Sequence, residues 1–332
     1  MNTIDLHEEF LNALNNKIPR KGDLVNEISD LLKIEKDAAY RRLSGKVMFS
    51  AREIGIVSDK LNISLDKLMM RSSNDILWMP FILEHPLKTR SMHSLYEVIN
   101  QNLGRLEDVL KDSVEAGNIY NSLPMEFFFS SPMMTKFMFF KWGNYFVGTE
   151  EFDNFSEWEV PSEIWETKKR MQNFYNFEKI YYIWDEALVW NFCREVITMH
   201  KMNVLTTEEM KEIGIEFKEI LSKIESTLNG SIVPSFPLPP EMEFYVSSVH
   251  LGFTCCYFLS QYKYFVSFQT NFSFSMIDDS PESFSRLKSW MDSFRSISVL
   301  LSHSGRVERK LFFDSQYKVV DYMLKIADIP IF

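Results

Sequence analysis

The sequence predicts a mainly α protein that consists of a small helical N-terminal domain and a larger α+β C-terminal region. Apolar residues recur at helical spacing in five short segments within residues 1–72. Similar periodicity recurs in segments between residues 94 and 228. Residues 242–276 are rich in valine, phenylalanine, tyrosine and threonine and partly alternate with polar residues, which is typical of β-strands. The C-terminal region is therefore predicted to be mostly helical with a small antiparallel sheet.

The length and the distribution of turn-forming residues predict the domain boundaries. A chain of 332 residues is long enough for two or three domains. Ser72, Ser73 and Asn74, followed by two prolines, indicate a linker. We expect a helical domain over residues 1–72, the linker over 73–90, a helical dimerisation or sensor region over 91–233, and a small antiparallel sheet with helices, packed on that region, over 234–332.

The first two helices of the N-terminal domain follow from their apolar positions. One is predicted from His7 to Asn16, and Pro19 separates it from the next. Residues 20–22 are expected to form a turn. Asp23 has the side chain of a helix N-cap and is predicted to begin the second helix.

The second and third helices meet at a short turn. Lys33–Glu35 is predicted to be this turn, and Lys36–Ser44 the third helix, which Gly45 ends. Ser50 and Ser64 are predicted to cap a fourth and a fifth helix. Two helices joined in this way can present the second of them to the major groove of DNA.

The C-terminal region contains several longer periodic segments. Ser94–Val114 has the most regular apolar stripe, which fits either a buried core or a dimer seam. Residues 242–276 are predicted to form three or four antiparallel strands, and Arg309–Ala327 a last strand or helix. Further helices are predicted over the second part of 119–146, over 162 to about 174, and over 175–200, 207–228 and 281–301.

Composition indicates a thick apolar core and a reducing environment. Aromatic residues make up 15% of the chain, which is typical of a core of packed rings, with an aromatic-lined ligand pocket as the alternative. Cys193, Cys255 and Cys256 lie in apolar surroundings and are predicted to be buried free thiols. The N-terminus does not resemble a signal peptide, and no apolar run is long enough to span a membrane. We therefore expect a cytoplasmic protein.

The net charge of −10 is unevenly distributed along the chain. Residues 1–72 hold 12 Lys and Arg against 11 Asp and Glu, so the acidity belongs to the remainder. A nearly neutral domain can still bind phosphates through a local basic cluster, because electrostatic contacts act within about 10 Å at physiological salt. The acidic remainder weakens non-specific DNA binding, which makes dimerisation or specific base contacts more important.

The segments LVNEISDLLKIEKDAAYRRLSGK and LNISLDKL resemble the lambda-repressor-like, Xre-type helix-turn-helix family. Ser29, Ile34 and the segment Arg41–Lys46 match the pattern of that family. Three positions depart from it, namely Lys33 where glycine is common, Ala39 where a larger aliphatic residue is usual, and Arg42 at a site that is often apolar.

The resemblance implies a five-helix lambda-repressor-like bundle whose third helix reads an operator. Residues on the leading face of that helix would contact bases, and the basic residues around it would contact the DNA backbone. The implied base contacts are Lys36, Asp37, Tyr40 and Arg41. The implied backbone contacts are Arg42, Lys46, Arg52, Arg20 and Lys21.

These features predict a DNA-binding transcriptional regulator that acts as a homodimer on double-stranded DNA. The C-terminal region would dimerise or respond to an unknown small-molecule or protein effector. A protein-interaction module with a vestigial helix-turn-helix is the alternative. The sequence contains no nucleotide-binding or metalloprotease motif, and its six histidines lack metal-ligand spacing. We therefore expect no enzymatic activity, no cofactor and no metal.

Overall fold

The chain divides into two compact units, Met1–Trp78 and Met79–Phe332. This boundary falls inside the predicted linker, most of which lies outside the described residues. The described residues are mainly helical, with one mixed sheet in the second unit. The computed structural model describes residues 5–61, 63–65, 68, 81–83, 96–97, 100, 104, 107, 113–148, 150–171, 177–233, 242–261, 263–270, 274–303 and 305–327.

Short amphipathic helices enclose a small apolar core in the first unit. Those with described bounds are α1 (Leu6–Lys17), α2 (Lys21–Leu32), α3 (Lys36–Leu43) and α4 (Ala51–Leu61). The buried side chains are Phe10, Leu14, Leu24, Ile28, Ala39, Phe49, Val57 and Leu68. Leu65 and Leu68 are helical, whereas their neighbours in the predicted fifth helix lie outside the described residues.

The start of α2 differs from the prediction. The Leu24 amide donates to the Arg20 carbonyl at 3.0 Å, which is an α-helical bond, so Lys21 and Gly22 already belong to the helix. Arg20 is the extended N-cap residue, and no side chain caps this end. The predicted turn at residues 20–22 and the predicted cap at Asp23 were therefore wrong. Asp23 lies in the first turn, where its carboxylate still faces the positive end of the helix dipole.

The second unit is built on a sheet whose described strands lie in the order β1-β7-β6-β5-β2-β3-β4-β8. β2 pairs parallel to β3 and β3 pairs parallel to β4, while the other neighbours are antiparallel. The predicted purely antiparallel sheet was therefore wrong. The strands are β1 (Phe81–Leu83), β2 (Ser113–Tyr120), β3 (Lys179–Asp185), β4 (Glu243–Ser247), β5 (Thr254–Ser260), β6 (Tyr264–Thr270), β7 (Phe274–Asp278) and β8 (Val299–Leu300).

Strand β3 explains this difference. Residues 175–200 were predicted as one helix, but they contain β3 and then a helix that begins at Leu188. Six consecutive residues of β3, from Ile180 to Asp185, are buried, because both faces of the sheet are covered. Such a strand shows no alternation and cannot be told from a buried helix by periodicity. Its pairing with β2 and β4 joins the predicted regions 91–233 and 234–332 in one sheet.

Helices cover both faces of this sheet. The helix Pro281–Ile297, α10, packs on the face that carries Ile119, Tyr181 and Tyr257. The opposite face, which carries Tyr182 and Phe258, packs against other helices of the second unit. The helices with described bounds are α5 (Met125–Phe128), α6 (Pro132–Phe146), α7 (Ser162–Met171), α8 (Leu188–Lys201), α9 (Thr207–Leu228), α10 (Pro281–Ile297) and α11 (Arg306–Ala327), with a 3-10 turn at Glu150–Phe152.

The helical core is assembled from aromatic rings, as the composition predicted. The ring of Phe140 lies edge-on to that of Phe155 at 5.1 Å, and Phe137 lies edge-on to Phe192 at 5.4 Å. These four side chains are almost fully buried. The packing of rings at these distances is favourable beyond the burial of their area.

Several further predictions are tested by the described residues. The predicted helix at 207–228 is confirmed, and Arg309–Ala327 belongs to a helix. The helix predicted over 281–301 ends at Ile297 and is followed by strand β8. Most of the predicted helix at 94–114 lies outside the described residues, so its role as core or dimer seam stays a prediction. Cys193, Cys255 and Cys256 are free thiols, and burial raises the pKa of Cys193 and of Cys256 to about 12. None of the helices in the described part of the chain is long and apolar enough to cross a membrane.

Candidate nucleic-acid interface

The turn between α2 and α3 is held by hydrogen bonds to Ser29. The amides of Lys33 and Ile34 both donate to the Ser29 carbonyl, and the Ser29 hydroxyl donates to the Ile34 carbonyl at 2.6 Å. Lys33 has a φ of 53°, in the left-handed region that glycine favours. The three predicted turn residues therefore separate α2 from α3, and a lysine rather than a glycine occupies the left-handed position.

Helix α3 exposes one polar face. Lys36, Asp37, Tyr40 and Arg41 are exposed, and Tyr40 retains 53% of its accessible surface. Their spacing of one, three and one residues places them on the same side of a helix. Ala39 points the opposite way and is fully buried in the core. Among the described residues no carboxylate forms an ion pair with Arg41.

Arg42 has a role inside the first unit. Its Nη2 lies 2.9 Å from Glu53 Oε1, its Nε donates to the same oxygen at 3.1 Å, and its Nη1 donates to the Ala38 carbonyl at 3.2 Å. Both side chains retain only 19% of their accessible surface. This pairing occupies the guanidinium that the sequence analysis assigned to a DNA phosphate. It links α3 to the start of α4, so Arg42 positions α3.

Glu53 also caps α4. The Glu53 amide donates to the Ser50 hydroxyl at 3.3 Å, and Glu53 Oε2 accepts from the Ser50 amide at 2.8 Å, which is a reciprocal capping box. Burial raises the pKa of Glu53, but the hydrogen bonds from Arg42 and Ser50 outweigh burial and leave this pKa below its usual value. The cap at Ser50 was predicted and the role of Glu53 was not, although the pattern Ser-x-x-Glu indicates both residues.

The remaining predicted DNA contacts are exposed basic residues outside α3. Lys46 lies in the connection from α3 to α4, and Arg52 lies in the first turn of α4. Arg20 and Lys21 lie at the N-terminus of α2. The first turn of that helix has no side-chain cap, and free backbone amides at a helix N-terminus favour an anion. Exposure and charge at these four positions are compatible with phosphate contacts.

Asp185 is a buried carboxylate of the second unit whose oxygens are both hydrogen-bonded within the protein. Asp185, at the end of β3, accepts from the Ala187 amide and from the Leu251 amide, and lies 3.0 Å from His250 Nδ1. The Asp185 carboxylate therefore ties two loops to the end of a parallel strand. In the described part of the chain, no group of three or more His, Cys, Asp and Glu side chains could hold a metal ion.

Comparisons of the chain with protein-family models, with curated proteins and with solved structures found no match.

Proposed function

We propose that this protein binds double-stranded DNA and regulates transcription, with α3 as the recognition helix. The observation that carries the proposal is the exposed face of Lys36, Tyr40 and Arg41 on a short helix whose opposite face is anchored by Ala39. Arginine and lysine donate to guanine, and tyrosine can contact a base or a phosphate. The proposal includes a fifth helix in the first unit, which would complete a lambda-repressor-like bundle.

The contacts around α3 support this proposal because they hold the helix without using its exposed face. Ser29 bonds hold the turn before α3, and the Arg42–Glu53 pair joins α3 to α4. A recognition helix needs such support, since base contacts require a fixed orientation in the groove. Lys46, Arg52, Arg20 and Lys21 would then meet the DNA backbone.

The test is the binding of a fluorescent random-sequence duplex to the full chain at several salt concentrations. We expect binding that weakens with salt, because phosphate contacts release counterions. Lys46→Ala, which removes one of the proposed phosphate contacts, should weaken binding and reduce the slope of log affinity against log salt by about 1. The matched control is Lys17→Ala, which removes one exposed positive charge from the end of α1 and should leave the slope unchanged.

Arg42→Ala provides a second control with a different expected result. Because Arg42 is paired with Glu53, its removal should lower the thermal stability of the first unit. The slope of log affinity against log salt should stay close to that of the wild type. If the wild type fails to bind duplex at any salt concentration, the proposal is refuted, and the protein-interaction module remains.

A further inference from the structure

The surface of the second unit carries exposed apolar side chains on two neighbouring helices, α8 and α11. α11 packs against both α8 and α9. Trp190 of α8 stacks on Tyr322 of α11, with ring centroids 6.1 Å apart, and both rings are about half exposed. Leu311 and Val307, further along the exposed face of α11, each retain 65% of their accessible surface. Exposed apolar side chains grouped in this way mark interaction surfaces.

The same face of α11 carries an acidic and a basic side chain, so its charge pattern is complementary to that of the same face on a second copy. Asp314 and Lys318 are exposed and lie one helical turn apart. Asp314 is 3.4 Å from Lys310 in a solvent-exposed pair, which is a weak interaction. In the part of the chain that the structure describes, Lys318 has no ion-pair partner. An acidic and a basic side chain arranged in this way can pair twice across a two-fold axis.

We infer that α11 is the interface at which two copies of this chain associate, with their α11 helices antiparallel about a two-fold axis near residue 316. In this arrangement Asp314 of each copy faces Lys318 of the other, and Leu311 of each copy faces Tyr322 of the other. The contact is isologous, because each pair of residues occurs twice. The helix has 22 residues and a length of about 33 Å, which is sufficient for both sets of pairs.

The test is sedimentation of the full chain without DNA over a range of protein concentrations. It is independent of the proposed function, since neither α3 nor a duplex is involved. We expect the wild type to self-associate. Asp314→Lys should place two lysines opposite each other at both pairs, and Lys318→Asp should place two aspartates there. Each single variant should associate about tenfold more weakly.

An equimolar mixture of the two variants is the decisive measurement. A heterodimer of Asp314→Lys with Lys318→Asp again has opposite charges at both pairs, so the mixture should regain wild-type association. Contacts within one helix cannot produce this rescue. The matched control is Glu282→Lys mixed with Arg286→Glu, which reverses a partly exposed pair one turn apart on α10 and should leave association unchanged. A monomeric wild type, single variants that associate normally, or a mixture without rescue would overturn the inference.

Discussion

The carboxyl group of Glu126 allows a quantitative test of the structure of the second unit. Glu126 lies in α5 and retains only 9% of its accessible surface. Burial raises its pKa from 4.5 to about 7, although hydrogen bonds from its own backbone, Tyr182 and Tyr120 act in the opposite direction. In the unfolded chain the carboxyl group ionises near its ordinary value of 4.5. Between pH 4.5 and about 7, the Glu126 carboxyl group is therefore protonated in the folded chain and ionised in the unfolded chain.

This difference makes the stability of the wild type decrease as the pH rises from 4.5 to about 7, and the effect is constant above that range. Each pKa unit corresponds to about 1.4 kcal/mol, so the full effect is about 3 kcal/mol. Glu126→Gln keeps the shape of the protonated side chain and cannot ionise. We expect the stability of the variant relative to the wild type to increase by about 2.5 kcal/mol between about pH 5 and about pH 8.

The assay is urea denaturation followed by tryptophan fluorescence, because six of the seven tryptophans lie after residue 78. The difference between variant and wild type is compared at the two pH values, which removes the contribution of all other titrating groups. Glu219→Gln, on the exposed side of α9, is the control and should show no such pH-dependent difference. A Glu126→Gln variant whose relative stability is the same at both pH values would refute the reasoning.

Two further substitutions test local contacts. Glu53→Gln should destabilise the first unit by about 1 kcal/mol at neutral pH through loss of the Arg42 ion pair. Because the folded-state pKa of Glu53 is lowered, this loss should shrink as the pH falls below 4.5, which thermal denaturation at several pH values would reveal. Gly117→Ala would place a Cβ atom 2.3 Å from the ring of Tyr257 and should lower stability by about 1–3 kcal/mol. Gly252→Ala, with no atom within 4 Å of the added Cβ, is its control in the same melting assay, and equal melting temperatures would contradict the expected clash.

Local sequence was sufficient to predict many helix ends. α9 begins at the predicted residue Thr207, directly after its N-cap Thr206, and Gly45, which was predicted to end α3, has a φ of 73°. These features involve residues within one helical turn of each other, so their spacing in the sequence is nearly their spacing in space. The start of α2 was not predicted, because a short turn without a side-chain cap carries no comparable signal.

The candidate interface was only partly predictable, because local spacing in the sequence indicates exposure on one helix but not contacts between helices. The exposed positions of Lys36, Tyr40 and Arg41 follow from helical periodicity alone. The pairing of Arg42 with Glu53 joins two helices across eleven residues of chain, so neighbouring residues on α3 indicated only a surface charge. Two adjacent arginines thus have different environments, which depend on the position of α4.

By itself, the sequence determined the helical character of most segments, the turn at Lys33–Glu35 and the burial of Cys193 and Cys255, since hydrophobic spacing and short-range hydrogen bonds are sufficient for these. Cys256 was also predicted to be buried, but it is partly exposed. The tertiary structure alone decided that β3 is a strand between two parallel neighbours and that Glu126 is buried. Strand pairing and desolvation depend on residues far apart in the chain, and no local pattern specifies which of them meet.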